Sequence, residues 1–148
     1  MQQSLKNLDD PYKWSIETVE LLRAGKLSAI NLDELINEIG SIASGLRREM
    51  VSILRDILDA LLIITYADSD AAEAERQLIH AQAQLQLLLY SAPSLRDVVM
   101  EAVAKAYQHA KDNVAEDYRL VLPVVCPFQL DRIMEDPYDR LVAEGKLA

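Results

Sequence analysis

One segment dominates the hydrophobic pattern of the chain. Between Asn31 and Ala67, apolar side chains recur every three or four residues, which is the spacing of one face of an α-helix. Asn31 is a typical N-cap residue. Gly40 and Gly45 lie inside the segment and permit a bend. The pattern predicts one long amphipathic helix, most buried in its second half, from Ile57 to Tyr66, which is apolar nearly all round. Its apolar positions are Leu32, Leu35, Ile36, Ile39, Ile42, Ala43, Leu46, Met50, Ile53, Leu54, Ile57, Leu58, Leu61 and Leu62.

Further helices are predicted on both sides of this segment. Asp10-Pro11 is a cap followed by a first-turn proline, and Gly25 is a stop signal, so a helix is expected over 11–24. A third helix is expected over 70–90. The pair Ser94 and Asp97 resembles a capping box and predicts the start of a fourth helix that ends near residue 118.

The C-terminal part contains several prolines. Residues 120–127 include three β-branched valines and hold two X-Pro steps, which favours an extended strap over a helix. Pro127 and Pro137, capped by Cys126 and Asp136, are interpreted as first-turn prolines of two short helices over 128–135 and 138–144.

Together these elements predict an all-α single domain. The expected fold is a helical bundle of about three long antiparallel helices, with an N-terminal helix and short C-terminal helices around it. A tail over 1–9, a bundle over 11–119 and a strap with short helices over 120–148 are expected. Because the long helix exceeds its neighbours, part of its apolar face must be covered by flanking helices, by a bend or by another subunit. We therefore expect a homo-oligomer.

Composition excludes several function classes. The chain has 148 residues, with 15 basic against 24 acidic side chains and a formal net charge of -9. Such a surface repels nucleic-acid phosphates and anionic membranes, so neither partner is expected. The stretch 77–95 lacks charged residues, but its four glutamines, His80 and Pro93 argue against a membrane span. No apolar leader opens the sequence, so a cytoplasmic protein is expected.

An ordered set of short motifs resembles one known family. The set spans about 10–136, and it consists of Tyr12-x-Trp14, the run 21–27, Asn31-Leu32, Glu38-Ile39, the run 47–49, the run 91–96, Ala106-Tyr107 and Cys126-Pro127. This order resembles the family called Domain of Unknown Function 29, found mostly in cyanobacteria. The resemblance implies an almost wholly α-helical bacterial protein with no established activity.

The chain departs from that family at several polar positions. Members often carry His, Lys and Trp late in the long helix, where this chain has Ala60, Ile63 and Ile64. Of a Glu-Glu pair, only Glu38 is retained. If the family used these groups for chemistry, this chain has lost them.

A metal site is one hypothesis for a bundle with carboxylates and histidines. Di-metal bundles use Glu-x-x-His, but Gln77 and Ala106 stand three residues before the two histidines, so the motif is absent. A looser set, comprising Glu38, Asp56, Asp59, His80 and His109, could meet across the bundle. Solvated helix faces are the more common reason for such residues, and no cofactor is expected.

Two other polar features have a structural and a functional interpretation. Asp56 and Asp59 lie among leucines and isoleucines, where they form either a polar edge or a functional carboxylate pair. Cys126 and Arg132 have the Cys-x5-Arg spacing of cysteine phosphatases, but Pro127 and Asp131 between them are unsuited to an anion loop. A packed or capping cysteine is favoured, and a helix N-terminus could make it reactive if it is exposed.

Three residues are candidates for interaction. Tyr12 and Trp14 either pack on the bundle or form a partner surface. Gln82 replaces an apolar residue in a helical stripe, so it either hydrogen-bonds across an interface or lies at the rim with its amide in water.

The sequence contains none of the usual catalytic motifs. We therefore expect a non-enzymatic module that binds a protein partner or its own copy. The alternative is a metal- or small-molecule-binding bundle with hydrolytic activity, centred on Glu38, Asp56, Asp59 and a histidine.

Overall fold

A computed structural model describes residues 10–147. These residues form an all-α helical bundle without strands, as predicted. The α-helices are α1 (Pro11–Arg23), α2 (Leu32–Tyr66), α3 (Ala71–Ser91), α4 (Val99–Tyr118), α5 (Leu130–Ile133) and α6 (Pro137–Ala143), and two 3-10 helices span Leu27–Ala29 and Pro93–Val98. The chain divides into two compact units, Met1–Gly45 and Leu46–Ala148. The predicted tail over 1–9 lies outside the described residues.

The predicted starts of α1 and α2 are confirmed by their caps. The backbone N–H of Lys13 donates to Oδ1 of Asp10 at 3.0 Å, and the N–H of Glu34 donates to Oδ1 of Asn31 at 3.2 Å. Each bond satisfies an N–H that has no partner within its helix. The continuous helix α2 therefore begins where the sequence predicts.

The second unit contains the hydrophobic core. The part of α2 from Ile57 to Leu62 is buried apart from the half-buried Asp59, as the sequence predicts. The prediction fails for the last turn, where Ile63 and Ile64 are half-buried and Thr65 and Tyr66 are exposed. The core residues facing it from α3 and α4 are mainly aliphatic, and they include Leu78, Leu85, Leu89, Val99, Val103 and Ala106. No helix among residues 10–147 is long and apolar enough to cross a bilayer.

Two predicted helix starts are wrong. Helix α4 begins at Val99 and not at Ser94, because residues 93–98 wind into a 3-10 helix that buries Leu95. Pro127 does not begin a helix either. Helix α5 begins at Leu130, after an extended Gln129 at its N-cap. The segment before it instead places Cys126 and Phe128 against the core.

The C-terminal segment is tied to α3 and α4 by polar contacts. The Gln86 amide donates to the carbonyl of Met134 at 2.8 Å, and the Tyr107 hydroxyl donates to the carbonyl of Pro123 at 2.6 Å. These bonds anchor the strap and α5, which have few backbone hydrogen bonds of their own.

Candidate functional site

The first half of α2 carries a row of exposed aliphatic side chains. Leu32, Ile36, Ile39 and Ile42, which we call the exposed row, are 58–65 % exposed. Full burial of one such side chain is worth about 1.5–3 kcal/mol. Contiguous apolar surface of this kind typically marks a binding site. The sequence analysis predicts that the second half of α2 is the more buried and that part of the apolar face needs a cover, but it does not identify these four residues as the uncovered ones.

The opposite side of α2 is covered by α1. The indole N–H of Trp14 donates to Oε2 of Glu34 at 3.2 Å, and Glu34 and Thr18 are both buried. At about 100° per residue, Ile36 and Ile39 lie roughly 160° and 140° around the helix from Glu34. Packing against α1 therefore leaves Leu32, Ile36 and Ile39 facing away from it, while Ile42 lies at the side, roughly 80° around the helix from Glu34.

Helix α1 presents further apolar surface. Tyr12 is 76 % exposed, while Ile16, Val19 and Leu22 are each about two-fifths exposed. Of the two aromatic candidates, Trp14 is half-buried with its N–H bonded and Tyr12 is open to solvent.

Asp59 lies in an unfavourable environment for a carboxylate. Its Oδ1 is buried without a hydrogen-bond partner among the described residues. Burial is the main cause that raises its pKa from 3.8 to about 7; Arg55 opposes the rise, while Asp56 and Asp117 add to it. Asp56 itself is exposed. The two aspartates therefore differ in burial, and Asp59 exchanges a proton near neutral pH.

The other metal-site candidates are separate surface residues. Glu38, His80 and His109 are all exposed. In the part of the chain from residue 10 to 147, no three His, Cys, Asp or Glu side chains form a group that could hold a metal ion. The structure therefore does not assemble the predicted five into one centre.

Gln82 is fully buried inside the chain. Its Nε2 donates to the carbonyls of Arg132 at 2.9 Å and Ile133 at 3.4 Å. The alternative in which its amide lies in water is wrong, because the C-terminal segment covers it. Its observed partners belong to this chain, so its contribution is to fix α5 on α3.

A pocket of about 310 Å³ lies between α4 and the strap. Its lining is apolar apart from Tyr107, Gln108 and Cys126. Burial raises the pKa of the Cys126 thiol, despite an opposing hydrogen bond to Phe128. Cys126 lies outside the N-terminus of α5, so no helix dipole activates it, and the less favoured alternative of a reactive thiol is not supported.

The comparison with known proteins agrees with the resemblance noted in the sequence. A family model described as Domain of unknown function DUF29 matches residues 8–139, nearly the whole chain. No curated protein and no solved structure is detectably similar to it.

Proposed function

The chain belongs to the DUF29 family, and from this premise we propose that it is a protein–protein interaction module that binds through the exposed row of α2. The observation that carries the proposal is the exposure of four aliphatic side chains on one face of a capped, continuous helix. Such a face is suited to an amphipathic helix of a partner, which would bury the row at α-helical spacing.

The contacts that hold the first turns of α2 indicate that this face is already formed before a partner binds. The cap at Asn31 and the bond between Trp14 and Glu34 hold the start of the helix in place. A preformed helix loses little conformational entropy when it binds. The free energy gained by covering the exposed row is therefore available for association.

The hydrolytic alternative has less support. His80 and His109 are exposed and no metal-holding group is present within residues 10–147. The lining of the pocket beside the strap contains neither a carboxylate nor a histidine. The charged groups that act on the Asp59 carboxyl are Arg55, Asp56 and Asp117, none of which is a histidine, and a general acid or base needs a substrate within hydrogen-bond reach.

The proposal is tested by replacing two aliphatic side chains of the exposed row with small polar ones, which leaves the net charge unchanged. We expect the wild-type protein, purified from its own host, to appear in native mass spectrometry as an oligomer or as a complex with a second protein. The variant Ile36→Ser/Ile39→Ser should lose at least about two orders of magnitude in affinity, because two aliphatic contacts are removed.

The matched control removes aliphatic groups elsewhere. Leu87 and Val121 are also exposed, on α3 and on the strap, and Leu87→Ser/Val121→Ser should leave the complex unchanged. Circular dichroism verifies that both variants remain helical. A wild-type protein that is a bare monomer at high concentration, or a complex that both double variants retain, contradicts the proposal.

A further inference from the structure

Three residues of the exposed row, together with the neighbouring Ala43, have the spacing of a coiled-coil seam. Leu32, Ile36, Ile39 and Ala43 are separated by steps of four, three and four residues, as in a heptad repeat. Continuing the same steps along α2 leads to Leu46, which is half-buried against the core, and then to Met50 and Ile53, which the core buries. Only the first three turns of the seam are open to another helix.

Three residues on one flank of this seam are arranged symmetrically. Asp33, Gly40 and Arg47 are spaced seven residues apart, so they lie on one line along α2. Asp33 and Arg47 are both exposed, and neither takes part in an ion pair among residues 10–147. An identical helix running antiparallel, with a two-fold axis beside Gly40, would place each Asp33 against the Arg47 of the other copy.

A parallel arrangement has no such complementarity. In a parallel pair, this flank faces the opposite flank of the partner, where Arg47 would meet Ile42. Neither charge would then be compensated. The pattern of charges therefore favours the antiparallel pairing of two copies.

Gly40 supports the same register. Glycine in mid-helix costs about 1 kcal/mol relative to alanine. A Cβ at Gly40 would meet no atom of the described chain within 4 Å, so close packing inside the chain does not account for it. At the two-fold axis, Gly40 would lie opposite its copy, and the missing side chains would let the two backbones approach.

We propose that the partner of the exposed row is a second copy of this chain, bound through an antiparallel pair of α2 helices centred on Gly40. This deepens the proposed function and rests on it. The interface is isologous: Ile39 packs beside Ala43 of the partner, Ile42 meets its own copy, and two Asp33–Arg47 pairs flank the seam.

A charge exchange tests the register. In sedimentation velocity of the full chain at about 0.1 M salt, Asp33→Arg and Arg47→Asp should each weaken the dimer about tenfold, since each places like charges opposite one another twice. The double variant Asp33→Arg/Arg47→Asp should restore the wild-type affinity. A double variant that is as weak as the single variants overturns the register.

Thiol cross-linking tests the orientation independently. In a Cys126→Ser background, Asp33→Cys/Arg47→Cys should be joined into a covalent dimer by a bis-maleimide that spans about 8–10 Å, since this is the distance between the axes of paired helices. Asp33→Cys alone should not, since the two cysteines would lie about 21 Å apart along the pair. Positions 33 and 47 are equally distant within one chain, so an intrachain bond is excluded. Efficient cross-linking of the single variant would overturn the antiparallel arrangement.

The results separate this inference from the proposed function. If the wild-type protein forms a one-to-one complex with a different protein and Ile36→Ser/Ile39→Ser abolishes it, the second-copy proposal is wrong and the proposed function stands. If Ile36→Ser/Ile39→Ser dimerises as well as the wild type, both are wrong.

Discussion

The half-buried Asp59 makes the stability of the folded protein depend on pH. Its carboxyl is pushed toward the neutral form by burial, and its pKa of about 7 is well above the ordinary 3.8. The folded protein therefore binds more protons than the unfolded chain between about pH 4 and pH 7. Over this window, the Asp59 contribution makes stability fall as pH rises, and above pH 7 the loss is complete.

The variant Asp59→Asn should be more stable than wild type at pH 8 by about 2 kcal/mol, roughly half the unscreened conversion because the side chain is partly exposed. At pH 4 the two proteins should be nearly equal, since both side chains are then neutral. Urea unfolding at the two pH values measures the difference. Asp56→Asn is the control on the same helix with an exposed carboxyl, and an equal gain from it would show that Asp59 is not the source.

At the scale of helices, the sequence correctly predicted where a helix begins when the cap residue forms its hydrogen bond. Asp10 and Asn31 each accept a backbone N–H as expected, so α1 and α2 start where the sequence indicates. The pair Ser94 and Asp97 failed, because residues 93–98 form a tighter 3-10 helix and the predicted cap is not used. A proline was also not enough to predict a helix start at Pro127. There the packing of Cys126 and Phe128 against the core keeps the backbone out of a helix until Leu130.

Which turns of α2 are covered was only partly predictable from the sequence. The apolar stripe runs through both halves of α2, yet Ile36 and Ile39 are exposed while Ile53 and Ile57 are buried. The periodicity is the same in each half, and only the arrangement of the other helices decides which part is covered. The candidate site is therefore visible in the structure and not in the pattern.

The position of the strap over α4 is held in part by one hydrogen bond, from the Tyr107 hydroxyl to the strap. Tyr107→Phe removes the donor to the carbonyl of Pro123 and leaves that carbonyl unpaired, which costs about 1–3 kcal/mol. The strap should open more often, and the half-buried Cys126 thiol should react with iodoacetamide about fivefold faster or more. Tyr90→Phe, on an exposed tyrosine of α3, should not change the rate. An unchanged rate in Tyr107→Phe would mean that apolar packing alone holds the strap.

At the scale of the whole molecule, self-association must overcome like charge. Each copy carries a formal charge of -9. Two such charges about 30 Å apart repel by roughly 11 kcal/mol in unscreened water. Screening reduces this to about 4 kcal/mol at 0.01 M salt and to less than about 1 kcal/mol at 0.1 M. Two exposed Asp33–Arg47 pairs contribute less than this change, since each is worth at most about 1 kcal/mol.

The sign of the salt dependence therefore identifies the force that holds the dimer. If the apolar face of α2 provides most of the affinity, raising the salt from about 0.01 M to 0.1 M should tighten the dimer at least about tenfold, because relief of net repulsion exceeds the screening of the two ion pairs. Sedimentation equilibrium at both salt concentrations measures this, and sucrose at low salt controls for general excluded-volume effects. A dimer that dissociates as salt is added would show that ion pairs dominate, and the exposed row would then lose its place as the main source of binding free energy.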